Sequence, residues 1–144
     1  MNILFDTNVQ LDVLLKRQPN YAAAVAVARA SIRGQITGYI AAFSLTTIFY
    51  FGQRQYRTKF DNMQAAEYAL DDVKSCLAQF RICPVSRQTL DAAVKMPGRD
   101  FEDNLQIACA LAEGLDAIVT SNIKDFRGAG ITLYTPTQLV KRLK

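Results

Sequence analysis

The sequence predicts an α/β fold, three layers deep, in which helices cover both faces of a central, mainly parallel five-stranded sheet. Three observations carry this. Short apolar runs alternate along the chain with longer stretches at helical spacing. Most of those stretches open on a capping residue or close on a glycine. Half of the 144 residues are apolar, and no linker, repeat or low-complexity tract divides them, so one domain over residues 1–144 is expected.

The elements follow in order. Ile3-Leu4-Phe5 reads as a strand closed by Asp6, and apolar positions from Val9 to Lys16 suit a helix. Pro19 interrupts the chain before the Ala- and Val-rich helix Tyr21 to Arg33, which Gly34 ends. Gly38 to Ala42 is a buried strand. Ser44 is the expected cap of a helix running to about Gln55. Asp61 and Gln64 have the form of a capping box, opening a long helix to Phe80 with Met63, Ala66, Leu70, Val73 and Leu77 on one stripe. Arg81 to Val85 is the third strand, and Ser86 caps a helix that stops before Pro97-Gly98. Asp100 caps the next helix, with Leu105, Ala108, Cys109 and Ala112 facing inward and Gly114 at its end. Ala117 to Thr120 and Ile131 to Tyr134 are the last strands. Thr135-Pro136-Thr137-Gln138 combines an N-cap, a first-turn proline and a capping-box glutamine to start the final helix.

Composition excludes several chemistries. With no histidine, the Ser-His-Asp and Cys-His nucleophile systems are absent and a zinc site loses its commonest nitrogen ligand. Cys76, Cys83 and Cys109 form no Cys-x-x-Cys pair and have apolar neighbours, as expected of buried thiols in a reducing compartment. Met1 to Asp6 lacks the pattern of a signal peptide, and no run is long enough to span a membrane, so a cytoplasmic protein without membrane contact is expected. The net charge of +4 favours a polyanionic partner.

Carboxylates remain as the reactive groups. Open parallel sheets bind ligands beyond the carboxyl ends of their strands, and Asp6 follows strand one while Asn122 and Asp125 follow strand four. Asp103 opens the helix that leads into strand four, at the same edge. Three aspartates from distant segments are thus expected to share one pocket, with Asn8, Asp100, Thr120 and Asn122 as supporting polar groups. Unpaired carboxylates at close range need raised pKa values or a cation, and oxygen-only ligands suit Mg²⁺ or Mn²⁺. Each residue also has a plain reading: Asp6 and Asp100 as helix caps, Glu102 and Asp103 as first-turn charges favoured by the helix dipole, Asn122 and Asp125 as a turn.

The joint order of Ile3-Leu4-Phe5-Asp6-Thr7-Asn8, Asp100-Phe101-Glu102-Asp103 and Val119-Thr120-Ser121-Asn122-Ile123-Lys124-Asp125-Phe126 resembles the PIN-domain family, over nearly the whole chain. The resemblance implies an acidic pocket binding Mg²⁺ or Mn²⁺ and cleavage of single-stranded RNA, with Asp6, Asp103 and Asp125 as metal-binding and catalytic residues. Because many small prokaryotic members are VapC-type toxins, it also implies a homodimer and an antitoxin protein as partners. The family's glutamate in the helix after strand two has no counterpart here: the aligned residue is Thr47, and that helix carries no acid.

Arg54, Arg57 and Lys59, interleaved with Tyr50, Phe51 and Tyr56, form the densest basic and aromatic stretch and are expected to bind nucleic acid, as are Lys124 and Arg127 beside Asp125. The principal expectation is a metal-dependent endoribonuclease, with toxin activity in a toxin-antitoxin pair. The alternative is a PIN fold with weakened catalysis that serves as an RNA-binding or protein-interaction module. A phosphatase-like parallel-sheet domain ranks behind both, because there is no Gly-rich phosphate loop and position 8 is Asn rather than Asp.

Overall fold

A computed structural model describes residues 1–144. Strands β1 (Asn2–Phe5), β2 (Thr37–Ala41), β3 (Arg81–Cys83), β4 (Ala117–Val119) and β5 (Thr132–Tyr134) form one wholly parallel sheet in the order β3-β2-β1-β4-β5. Eight helices connect and flank them: α1 (Thr7–Leu14), α2 (Tyr21–Ile32), α3 (Ser44–Tyr56), α4 (Asn62–Gln79), α5 (Arg87–Lys95), α6 (Phe101–Ala112), α7 (Ile123–Phe126) and α8 (Pro136–Leu143). None is long and apolar enough to cross a membrane.

Side-chain alternation along the strands divides the core between the two faces of the sheet. Ile3, Phe5, Ile40, Ala117 and Val119 join Val9, Leu11, Val27, Ile48 and Leu139 on one face. Leu4, Tyr39 and Ile118 point the other way and pack with Leu105, Ile107, Ala108 and Phe126. Phe5 is wholly buried, with its ring 4.9 Å from that of Phe80. Truncating such a residue to Ala costs about 3–5 kcal/mol, so this strand anchors the fold as well as the residue that follows it. All three cysteines are buried free thiols, as the sequence suggested.

The strand order reverses beside β1. The chain first builds outward through β2 and β3, then crosses to place β4 on the other side of β1. This switch opens a crevice at the carboxyl edge between β1 and β4, where open α/β sheets carry their ligand sites. Leu4 pairs with Ile118 and Phe5 with Val119, so the next residues, Asp6 and Thr120, leave the sheet side by side.

Four local expectations are revised. Ser44 is the first residue of α3 rather than its cap, because its buried hydroxyl is engaged by Thr7 Oγ1 at 2.7 Å. Asp61 caps α4 through Gln64 N–H, without the reciprocal glutamine bond. The expected stripe of α4 is not its buried face: Met63, Leu70 and Leu77 are 75%, 47% and 52% exposed and Ala66 and Val73 are half-buried, while Ala65, Ala69 and Cys76 are buried. Small residues line the buried face because α3 approaches closely there, with the Cα side of Gly52 against Ala69. Helix α6 buries Asn104, Gln106 and Ala110 as well as Leu105, Ala108 and Cys109, while Ala112, expected inside, is exposed beyond the core. The other capping expectations agree with the structure: Ser86 and Thr135 form capping boxes, with Pro136 in the first turn of α8, and Asp100 caps α6.

Candidate active site

The crevice is built around Asp6. Its backbone N–H continues the sheet by donating to Val119 O at 3.0 Å, and its carboxylate caps α1 by accepting from Asn8 N–H at 3.3 Å. The cap therefore leaves the carboxylate at the sheet edge, 1% exposed. Thr120 Oγ1 donates to one oxygen at 2.8 Å and Gln106 Nε2 to the other at 3.1 Å. Burial pushes the Asp6 pKa up, while the Thr120, Gln106 and Asn8 bonds draw it back and the charge of Asp12 adds a further rise.

Gln106 was not singled out in the sequence, although an amide between Leu105 and Ile107, three positions after Asp103, is a detectable signal. Its Oε1 also accepts from Thr7 N–H at 3.2 Å, so one side chain satisfies both the first backbone donor of α1 and the carboxylate. A second brace lies beside it. Asp12, 4% exposed, is held by Arg17 Nε at 3.0 Å and accepts from Ser121 Oγ at 3.3 Å. The Arg17 guanidinium also donates to the backbone O and side-chain Oδ1 of Asn8, at 3.3 and 3.4 Å.

Asp103 and Asp125 are more accessible. Asp100 caps α6 by accepting from Asp103 N–H at 3.1 Å, and Asn122 donates its side-chain amide to Asp125 within the single turn of α7. Asn122 N–H donates to Thr120 Oγ1 at 3.0 Å, so that hydroxyl couples the α7 turn to Asp6. Burial raises the Asp103 pKa to about 7, helped by the charges of Asp100, Asp6, Asp125 and Glu102. Glu102 is also raised, by burial and Asp100, against a lowering bond from Thr7.

This electrostatic crowding is the mark of negative charge without a counterion, and the all-oxygen donor set fits a hard divalent cation. No three acidic side chains stand close enough to share an ion directly. The fit is therefore to an ion held by one or two carboxylates with water completing its shell, the usual arrangement for Mg²⁺.

The remaining expected residues separate into two groups. Lys124 and Arg127 line a cleft of 510 Å³ with Asp100, Asp103 and Asp125, together with Arg99, which the sequence reading passed over. Arg54, Arg57 and Lys59 do not: α3 starts at the carboxyl edge and runs about 20 Å, carrying them away. Lys59 instead borders a separate cleft with Lys16, Leu14, Leu15, Tyr56 and Phe60. Thr47 lies half-buried on α3, which supplies no carboxylate.

Comparison with known proteins agrees with the fold. Among solved structures, the FitAcB complex of Neisseria gonorrhoeae aligns with a TM-score of 0.66 at 22% identity, covering 94% of this chain and 98% of that one. VapBC2 of Rickettsia felis, bound to a promoter DNA fragment, aligns with a TM-score of 0.63 at 18% identity and the same coverage. A toxin-antitoxin complex from Klebsiella pneumoniae aligns with a TM-score of 0.62 at 19% identity, covering 93% of this chain and 97% of that one. These likenesses establish a shared fold. No curated protein sequence matches significantly. The family model described as PIN domain matches residues 2–124, from the first strand into the start of α7, one residue short of Asp125, and the chain belongs to that family.

Proposed function

We propose that the chain is a divalent-metal-dependent endoribonuclease acting on single-stranded RNA, and the toxin of a toxin-antitoxin pair. The observation that supports it is that Asp103 and Asp125, from distant segments, line one cleft, while Asp6 lies buried at the end of β1 beside the topological switch of a PIN-domain sheet and its charge helps to raise Asp103. Asp103 and Asp125, the accessible carboxylates, would hold the ion, Mg²⁺ or Mn²⁺. When bound, it supplies Lewis acidity that activates water and offsets charge on a phosphodiester oxygen.

The chain's own groups prepare that site. Asp6 is held in one orientation at the end of β1 by Thr120 and Gln106. Asn122 orients Asp125. With its pKa raised to about 7, Asp103 must be deprotonated to act as a ligand, so metal affinity is expected to rise with pH through that range. Free buried thiols are consistent with a reducing cytoplasm. The exposed Met63, Leu70 and Leu77 stripe offers apolar burial to a protein partner, an antitoxin or a second copy in a homodimer. The likeness to toxin-antitoxin complexes supports the antitoxin as that partner.

The test is cleavage of an unstructured RNA with and without Mn²⁺, by the intact chain and by Asp6→Asn. Metal-dependent cleavage that the substitution abolishes supports the reading, and equal cleavage by the variant sinks it. A second reading, a PIN fold with weakened catalysis that binds RNA or protein, draws on the lack of an acid on α3 and of any three directly convergent acids. RNA binding without turnover, unchanged by Asp103→Asn, would decide for it.

A further inference from the structure

Three cations share the acidic cleft without being neutralised by it. Arg99 enters from the loop between α5 and α6, Lys124 from α7, and Arg127 from the residue after α7. All three are exposed, and all line the 510 Å³ cleft with Asp100, Asp103 and Asp125. None forms an ion pair: the pairs in this chain are Arg17 with Asp12, Lys74 with Asp71 and Arg87 with Asp91. Cations placed among carboxylates yet unpaired keep their hydrogen-bond donors available to an incoming anion.

The lining identifies the anion. It contains no aromatic ring and, apart from Pro97, no apolar side chain, so its contacts to an incoming strand are made mainly by charge. Two guanidiniums and an ammonium do match phosphate oxygens. Carboxylates on the same walls disfavour a free polyanion unless its phosphates seat on the cations.

We propose that Arg99, Lys124 and Arg127 form a backbone-phosphate subsite for single-stranded RNA beside Asp103 and Asp125, reading charge rather than base identity. The proposal rests on the ribonuclease reading for its choice of RNA. It places the strand over the α5–α6 loop and α7, and not along the Arg54, Arg57 and Lys59 segment that the sequence favoured.

Binding can be followed apart from cleavage. A fluorescently labelled, unstructured 12-nucleotide RNA is titrated with the full chain without divalent metal, at several salt concentrations, and anisotropy is read. The triple substitution Arg99→Gln, Lys124→Gln, Arg127→Gln is expected to weaken binding at least tenfold and to reduce the slope of log affinity against log salt by about 2, as three lost phosphate contacts require. Substituting Arg33, Arg81 and Lys95 by Gln, an equal charge change on exposed sites elsewhere, is expected to leave affinity within about threefold. A comparable loss in both triples overturns the subsite, as does a loss confined to Arg54→Gln, Arg57→Gln, Lys59→Gln. Absence of RNA binding by the intact chain, including the case where these cations hold an acidic protein instead, also overturns it. If the binding pattern holds and metal-dependent cleavage is absent, the subsite stands and the nuclease reading fails.

Discussion

Thr120 donates its hydroxyl proton to Asp6 across 2.8 Å and accepts from Asn122 N–H at 3.0 Å, so one oxygen ties the end of β1 to the turn that carries Asp125. The bond continues the β1–β4 register by one residue beyond the sheet. Replacing Thr120 by Val keeps the shape and removes both bonds. The buried carboxylate then loses a partner, which costs about 1–3 kcal/mol. Urea denaturation of Thr120→Val at pH 7 should show that loss, and Mn²⁺-linked thermal stabilisation should shrink with it. Full retention of both would mean that the hydroxyl is incidental.

Gln106 serves Asp6 and Thr7 at once, and its substitution separates charge from geometry. Gln106→Glu keeps the size of the side chain. At pH 5 the new carboxyl can be protonated and donate to Asp6; at pH 8 it places a second charge beside a carboxylate already raised by burial. The variant should therefore be close to the parent at pH 5 and destabilised by about 2 kcal/mol or more at pH 8. A pH-independent difference in chemical denaturation would argue against this account.

Asp103 predicts a pH dependence of the metal-free chain. Its folded pKa, about 7, lies above the unfolded value of 3.8, so between these values the folded state holds a proton that the unfolded state has released. Stability from this group is greatest below about pH 4 and is lost as pH rises towards and through 7. Asp103→Asn removes that loss. At pH 8 without metal it should be more stable than the parent, by roughly 1 kcal/mol once solvent screening of a half-exposed carboxyl is allowed for. Thermal melts from pH 4 to 8 with chelator present would measure it, and parallel curves for the two proteins would exclude the charge crowding described here.

Arg17 compensates Asp12, whose side chain is 6% exposed. Arg17→Gln leaves that carboxylate buried and unpaired, at a cost of about 2–3 kcal/mol. Asp12→Asn combined with Arg17→Gln should recover more than half of the loss. A double variant as unstable as the single one would show that Arg17 acts through Asn8 rather than through Asp12.

Much of this fold was legible along the chain because it is written in local chemistry. Alternating apolar runs, the Ser86 and Thr135 capping boxes and the Asp100 cap specify elements within a few residues of themselves, and they stand where they were expected. Asp6, Asp103 and Asp125 were also readable, because strand ends and helix starts at one edge follow from the alternation of strands and helices. The buried face of α4 was not. Both of its stripes are apolar enough to be core, and only the close approach of α3, permitted by Gly52, Ala65 and Ala69, selected the one with small residues.

The chain by itself determined the alternation of elements, the absence of histidine chemistry, and the set of carboxylates available at one sheet edge. Tertiary structure alone decided which polar groups serve them. Gln106, Thr120 and Ser121 lie 100, 114 and 109 residues from the aspartates they hold. Across such separations a hydrogen bond depends on strand order and helix rotation, which no local pattern encodes. The same holds for the cations: Arg54, Arg57 and Lys59 are the denser cluster in sequence, but the direction of α3 removes them from the carboxylates, while the α5–α6 loop and the short helix α7 with its following residue bring Arg99, Lys124 and Arg127 beside them.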